Sequence, residues 1–158
     1  MLIIGCGNRE RADDGAGLQV AEQLCRRGFQ AVCHTGDSLS LIDLWSNAED
    51  VILVDAVVTG NAPPGTVWNW NADRPLSALR PSASSHGFGV AEAIELAHKL
   101  GRLPPGLCIY GIEATNFAIG EEMSLAVEDT VQQLVQQLAA EATQSARMDA
   151  RTFGGAKS

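Results

Sequence analysis

The sequence has few basic and few aromatic residues, and it lacks the patterns that define several common classes of protein. Only 11 lysines and arginines stand against 19 aspartates and glutamates, so the net charge is −8. A nucleic-acid surface needs clustered basic residues, so we expect no nucleic-acid partner. No apolar run approaches the roughly 20 residues that cross a bilayer, and the N-terminus lacks the features of a signal peptide. The composition therefore predicts a cytoplasmic protein without a membrane segment.

The cysteines do not form a recognisable metal or redox motif. No pair among Cys6, Cys25, Cys33 and Cys108 is spaced as C-x-x-C, which argues against a zinc ribbon and a dithiol redox site. We expect small, buried or half-buried side chains in a reducing compartment. The pattern G-x-S-x-G is also absent, so no serine hydrolase nucleophile is indicated.

What the sequence does contain is an alternation of strand and helix patterns of a length that suits one domain. It has 158 residues, of which 46% are apolar, enough for a compact core. Apolar or alternating runs predict strands at 1–6, 30–35, 51–54, 66–70 and 107–112. Amphipathic spacing predicts helices at 15–27, 39–47, 86–100 and 121–142, with Ser124 as an alternative cap of the last helix. This alternation predicts a three-layer α/β/α sandwich with a mainly parallel sheet.

Two stretches modify this picture. Only ten residues, rich in proline and glycine, separate Asp55 from Thr66, which is too few for the helical crossover that joins parallel strands. The strand at 66–70 is therefore predicted to be the one antiparallel strand of a five-stranded mixed sheet. Residues 143–158 lose apolar periodicity and end in GGAKS, so we predict a folded domain at 1–142 followed by a disordered tail.

The segment 5–17, GCGNRERADDGAG, joins the first predicted strand to the first predicted helix. Glu10 takes the place of the third glycine of a dinucleotide-binding fingerprint, and Asp13 and Asp14 would repel a pyrophosphate. Both features argue against nucleotide binding. Two acidic residues at a helix start can act as caps or as metal ligands, and the residues alone leave both roles open.

Asp55 and His86 also stand where a strand ends or a helix begins. Asp55 is interpreted either as a turn residue or as a metal ligand, and His86 either as a helix cap or as a ligand. Two carboxylates and one imidazole would leave a cation with the open positions that catalysis requires. A Cys6 thiol with His86 as its base is a further alternative. His98 is expected on the solvent side of its helix.

Five short motifs occur in order along residues 1–140. They are Gly5-x-Gly7-Asn8 with Asp13-Asp14-Gly15-x-Gly17, Leu53-Val54-Asp55-Ala56, Ser85-His86, Tyr110-Gly111-Ile112-Glu113, and Met123-Ser124. In this order and spacing they resemble the motifs of the hydrogenase maturation proteases. The sequence departs from that family at Arg9-Glu10-Arg11, where many members carry more apolar residues.

The resemblance implies a phosphorylase/hydrolase-like fold, with a twisted five-stranded mixed sheet between helices and one antiparallel strand. It places the catalytic, metal-binding trio on Asp14, Asp55 and His86. It implies a monomeric endopeptidase of aspartate or metal type that removes the C-terminal extension of a [NiFe]-hydrogenase large-subunit precursor and so activates the hydrogenase. Nickel in that substrate would be the metal recognised, so the purified enzyme itself is expected to be metal-free.

Two other functions remain open on the sequence. One is a non-catalytic, metal-dependent chaperone of the large subunit, and the other is a nucleotide-binding α/β module. A further motif, Gly36-Asp37, follows the second predicted strand. It is interpreted either as a shaper of the cleft that contacts the substrate tail or as the cap of the next helix.

Overall fold

The described residues form five β-strands and four α-helices. The structure, a computed structural model, describes residues 1–71 and 89–154, with the backbone alone for 151–154. The strands are β1 (Leu2–Cys6), β2 (Ala31–His34), β3 (Asp50–Val57), β4 (Val67–Asn71) and β5 (Gly106–Glu113). The helices are α1 (Ala16–Arg26), α2 (Ser38–Trp45), α3 (Val90–Lys99) and α4 (Leu125–Gly154), and a short 3-10 turn, Ala12–Gly15, leads into α1.

The strands form one mixed sheet in the order β2-β1-β3-β5-β4. β1 pairs in parallel with β2 and β3, and β3 pairs in parallel with β5. β4 runs antiparallel to β5, with Val67 opposite Ile112 and Asn71 opposite Cys108. This confirms the prediction from the ten-residue connection, which is too short to return the chain to the other end of the sheet.

Two helices pack on each face of the sheet. On one face, Ile3, Ile52 and Ile112 join buried residues of α1 and α4 in one cluster. On the other, Ile4 and Leu53 join buried residues of α2 and α3 in a second cluster. Side chains alternate between the faces along each strand, because successive Cβ atoms of a strand point in opposite directions. The fold is therefore the predicted α/β/α sandwich.

The central strand is longer than its apolar run predicts. β3 continues past Val54 through Asp55 to Val57, and Asp55 pairs with Gly111 of β5. The interpretation of Asp55 as a turn residue is therefore wrong. Pairing with a long neighbouring strand extends β3 beyond the point where hydrophobicity alone would end it.

The ends of two helices also bear on the predictions. α3 begins at Val90, with an extended Gly89 at its N-cap position, and the predicted start at residue 86 lies outside the described residues. α4 begins at Leu125, directly after Ser124, as the alternative cap predicts, rather than at residue 121. It runs to Gly154, so the predicted loss of regular structure from residue 143 is wrong as far as 154, while 155–158 lie outside the described residues. Residues 143–153 contain neither glycine nor proline to stop the helix.

The predicted burial of the cysteines is confirmed for two of the four. Cys6 is buried and Cys108 is half-buried, as predicted, but Cys25 and Cys33 are exposed. All four are free thiols. No helix among the described residues is both long and apolar enough to cross a membrane.

Candidate active site

Asp14 and Asp55 lie at the edge of the sheet where the parallel strands have their carboxyl ends. Asp14 belongs to the 3-10 turn after β1, and Asp55 lies in the last half of β3, next to β1 in the sheet. Val51 and Leu53 pack with Cys6 on the α2/α3 face, and strand alternation places Asp55 on that same face. This edge is where open α/β sheets bind their ligands.

Two glycines bring the loop after β1 against the sheet. A Cβ atom at Gly17 would overlap the carbonyl oxygens of Val54 and Cys6, so only glycine lets the first turn of α1 touch the ends of β1 and β3. Gly7 has a φ of +140°, and a Cβ there would overlap the carbonyl oxygen of Asp14. The glycines of the first motif therefore act by close packing and place Asp14 beside the end of β3.

The two carboxylates are close enough to interact electrostatically. Burial first, and the charge of Asp14 second, raise the pKa of Asp55 to about 7, although the amide of Ala56 donates to its Oδ1 at 2.9 Å. The side chains of Asp14 and Asp55 are each only partly exposed, so water screens them incompletely. Two ionised carboxylates held together in this way form a site that favours a cation or a proton.

The backbone around Asp14 is tightly specified. The amide of Asp14 donates to the carbonyl of Arg11 at 3.0 Å, and its carbonyl accepts from the amide of Asn8 at 3.1 Å. Ala12, two residues earlier, has a φ of +47°, in the left-handed region that side chains other than glycine rarely adopt. Such a conformation costs about 1–3 kcal/mol and persists only where surrounding contacts enforce it.

Asp13 has a different role from Asp14, which the sequence does not distinguish. Its side chain is fully buried and accepts the amides of Thr115 at 3.1 Å, Asn116 at 2.9 Å and Ser124 at 2.7 Å. Burial opposes ionisation, but these amides outweigh it and lower the pKa of Asp13. The partners lie more than 100 residues away in the chain, so no local pattern indicates them.

Glu113 is a second buried carboxylate, and its structural role is not evident from the sequence. It accepts the amides of Thr59 and Gly60 at 2.9 and 3.0 Å, the hydroxyl of Thr59 at 2.8 Å and the indole N–H of Trp68 at 2.8 Å. Burial opposes ionisation, but these donors outweigh it and lower the pKa of Glu113. Glu113 therefore holds the connection between β3 and β4.

Cys6 is poorly suited to act as a nucleophile. Its side chain is buried, and burial, followed by the charge of Asp55, raises the pKa of the thiol well above its ordinary value. Nucleophilic cysteines need the opposite environment, one that stabilises the thiolate. The Cys6–His86 alternative gains no support from this geometry.

Asp37 acts as the cap of α2. Its Oδ1 accepts the amide of Ser40 at 2.9 Å, and Asp37 occupies the N-cap position. The capping interpretation is thus confirmed, and contact with a substrate tail stays a prediction.

Residues 9–11, where the sequence departs from the family pattern, are held by side-chain contacts. The guanidinium of Arg9 pairs with Glu22, and Nε of Arg11 donates to the carbonyl of Phe117 at 3.4 Å.

His86, the third predicted ligand, lies outside the described residues, so its role stays a prediction. Within 1–71 and 89–150, no three histidine, cysteine, aspartate or glutamate side chains form a group able to hold a metal ion. Gly89 occupies the N-cap position of α3, so capping of that helix does not require His86.

The direction of α3 is nevertheless defined. Arg102 lies just beyond the C-terminus of α3. Its carbonyl accepts the indole N–H of Trp45 at 3.0 Å, and the guanidinium of Arg102 donates to the carboxylate of Asp43 at 2.8 Å. Both partners lie near the end of α2, which leads into the start of β3. The N-terminus of α3 therefore points to the edge that carries Asp14 and Asp55. His98 is exposed near the far end of α3, as predicted.

A cleft of about 650 Å³ opens at the opposite edge of the sheet. Asp50, Pro104, Gly106 and Glu141 are among the residues that line it. Because these residues surround the beginnings of β3 and β5, the cleft is remote from the two carboxylates.

An α/β/α sandwich whose loops and strands bring two carboxylates together at the carboxyl edge of the sheet is typical of α/β proteins that bind a ligand at that edge. The family model HycI, described as hydrogenase maturation protease, matches residues 34–144, more than half of the chain. The chain therefore belongs to the hydrogenase maturation protease family. This membership favours a protease over the nucleotide-binding and chaperone alternatives.

Individual proteins with similar sequences or structures carry names that agree with this family. The chain is 30% identical over 119 residues to the hydrogenase expression/formation protein HupD of Thiocapsa roseopersicina, a match that covers 72% of this chain and 53% of that protein. The chain thus spans about half of that relative. It is 23% identical to the hydrogenase 2 maturation protease of Escherichia coli K12, over 71% of each chain. Among solved structures, the [NiFe] hydrogenase maturation protease HybD of Thermococcus kodakarensis superposes with a TM-score of 0.73 at 27% identity, covering 89% of this chain and 97% of that one.

The burial of Asp55, together with the charge of Asp14 beside it, predicts a pH-dependent effect of Asp55→Asn. The pKa of Asp55 is raised on folding, so wild type loses stability as pH rises from about 4 to about 7. The asparagine, which keeps an acceptor for Ala56, should stabilise the protein by about 1–2 kcal/mol at pH 8 and hardly at all at pH 4. Thermal unfolding measures this difference, with Asp129→Asn, at an exposed position of α4, as the control. Equal stabilisation at both pH values would contradict the charge argument.

The packing of Gly17 predicts that alanine is not tolerated there. The added methyl group would push α1 away from β1 and β3, because it overlaps backbone atoms that have no alternative position. Gly17→Ala should destabilise the protein by about 3 kcal/mol in urea unfolding. Gly89→Ala is the matched control, since a Cβ there would meet no atom of the described residues within 4 Å. Similar unfolding curves for the two variants would be evidence against the close contact.

Proposed function

We propose that this protease removes the C-terminal extension of a [NiFe]-hydrogenase large-subunit precursor after nickel has been inserted, and that it recognises the nickel bound to that substrate. The observation that carries the proposal is the coupled pair Asp14 and Asp55 at the carboxyl edge of the sheet. The family membership supports the reaction class, and the pair supports the kind of group that is recognised.

The donor chemistry of this edge fits a divalent cation. Carboxylate oxygens stabilise positive charge, and the mutual repulsion of Asp14 and Asp55 is relieved when a cation lies between them. Asp55 has a pKa of about 7, so the approach of the cation displaces a proton that the carboxyl holds for part of the time at neutral pH. The site is thereby selective for a substrate that brings its own positive centre.

His86 is the proposed third ligand. It stands four residues before the first residue of α3 in the sequence, and four residues span at most about 14 Å. Imidazole is an ordinary ligand for nickel. With Asp14 and Asp55 it would hold the substrate's nickel site and orient the adjoining peptide bond.

The residues of this chain act mainly by orientation. Once the metal centre of the substrate is held, the extension that follows it in the chain is placed at a fixed distance from the carboxylates. The nickel would supply Lewis acidity toward the scissile carbonyl or a water molecule, and one of the carboxylates would accept the proton of the attacking water. The enzyme is proposed to act as a cytoplasmic monomer.

The decisive experiment uses two forms of one precursor, nickel-loaded and nickel-free, incubated with the purified chain and followed by mass spectrometry. We expect loss of the C-terminal extension from the nickel-loaded form only. His86→Ala should slow cleavage by about 100-fold or more. His98→Ala, at an exposed position on α3, is the matched control and should cleave at the wild-type rate.

Three outcomes would contradict the proposal in different ways. Equal cleavage of both precursor forms would remove nickel as the recognised group. Undiminished cleavage by His86→Ala would remove that residue from the site. Stable binding of the precursor without any change in its mass would favour the chaperone alternative.

A further inference from the structure

Asp13 is a buried side chain that accepts three main-chain amides directly beside Asp14, and the proposed reaction does not use it. Its two carboxylate oxygens accept three backbone amides from residues 115–124, at 2.7 to 3.1 Å. Its own amide donates to the carbonyl of Asn116 at 2.9 Å. We call residues 115–124, which connect β5 to α4, the β5–α4 loop.

Main-chain amides satisfy this carboxylate. A buried carboxylate is costly unless strong donors surround it, and amide bonds to an ionised acceptor are stronger than those between neutral groups. The three amides are fixed to the backbone of the β5–α4 loop, so the charge of Asp13 binds a segment of main chain rather than one mobile side chain. This is an arrangement suited to fixing positions.

Further bonds run between the same two segments. The amide of Gly120 donates to the carbonyl of Glu10 at 2.9 Å, and the Arg11 side chain reaches the carbonyl of Phe117. Hydrogen bonds involving Glu10, Arg11 and Asp13 therefore attach the loop after β1 to the β5–α4 loop. Asp14 follows Asp13 directly, so this attachment also determines where the Asp14 backbone lies.

The backbone of Ala12 is independent support for a fixed position. Its φ of +47° is unfavourable for alanine, and such a conformation persists where contacts on both sides enforce it. Asp13 supplies those contacts on one side. Without them, the 3-10 turn would be free to relax toward ordinary backbone angles, and Asp14 would move with it.

We propose that Asp13 is a positioning residue for the cleavage reaction: it fastens the 3-10 turn to the β5–α4 loop and so holds Asp14 opposite Asp55. This inference rests on the proposed function, since it assigns Asp14 a role in cleavage. It predicts that substitution of Asp13 lowers kcat by more than the accompanying loss of stability explains.

The test compares Asp13→Asn with Glu113→Gln. Both wild-type residues are buried carboxylates with low pKa values that hold main-chain amides, so both variants should lose thermal stability. In Asp13→Asn, the new NH₂ group faces an amide donor and breaks part of the attachment. At a temperature where both variants are folded, kcat on the nickel-loaded precursor should fall about 10- to 100-fold for Asp13→Asn and less than about twofold for Glu113→Gln.

Asn116→Ala provides a second, milder variant in case Asp13→Asn does not fold. It keeps the amides that bind Asp13 but removes the side-chain bonds to Ala118 and Glu121 that shape the loop, at 3.1 and 2.9 Å. We expect a fall in kcat of about two- to fivefold with KM changed less. Wild-type kcat in the folded Asp13 and Asn116 variants, or equal losses for Asp13→Asn and Glu113→Gln, would overturn the inference. Failure of the wild-type chain to cleave would instead count against the proposed function.

Discussion

The close backbone contact between the first turn of α1 and the ends of β1 and β3 determines the rest of this site. Gly17 permits the contact, since any side chain there would overlap the carbonyls of Val54 and Cys6. The consequence is electrostatic, because the loop that precedes α1 carries Asp14 and the strand that it approaches carries Asp55. Packing thus brings together two like charges that would otherwise separate, and the raised pKa of Asp55 reflects its burial first and the charge of Asp14 second.

The buried carboxylates of this edge fall into two kinds. Asp13 and Glu113 are surrounded by fixed donors, and their pKa values are lowered. Among the described residues, Asp55 accepts a single amide, from its own neighbour, and its pKa is raised. Groups of the first kind hold loops in place, whereas the surroundings of Asp55 disfavour its ionised form. Such a placement of charge costs stability and is often found at functional sites.

Much of the fold follows from the sequence by simple physical rules. The ten-residue connection after Asp55 predicted the antiparallel β4, because chain length limits where a strand can begin. The ends of elements were harder, since β3 is extended by pairing with β5 and α4 continues through residues without apolar periodicity. The separate roles of Asp13 and Asp14 depend on partners near residues 115–124, and tertiary contacts of that range leave no local pattern.

The central claim is that Asp14 and Asp55 form one coupled acidic site, and NMR titration of the Asp55 carboxyl carbon tests it most directly. In the wild-type protein the account predicts a pKa of about 7 for Asp55. In Asp14→Asn it predicts a lower pKa, because the neighbouring charge is gone while the burial remains. An ordinary pKa in the wild type, or the same raised pKa in both proteins, would contradict it.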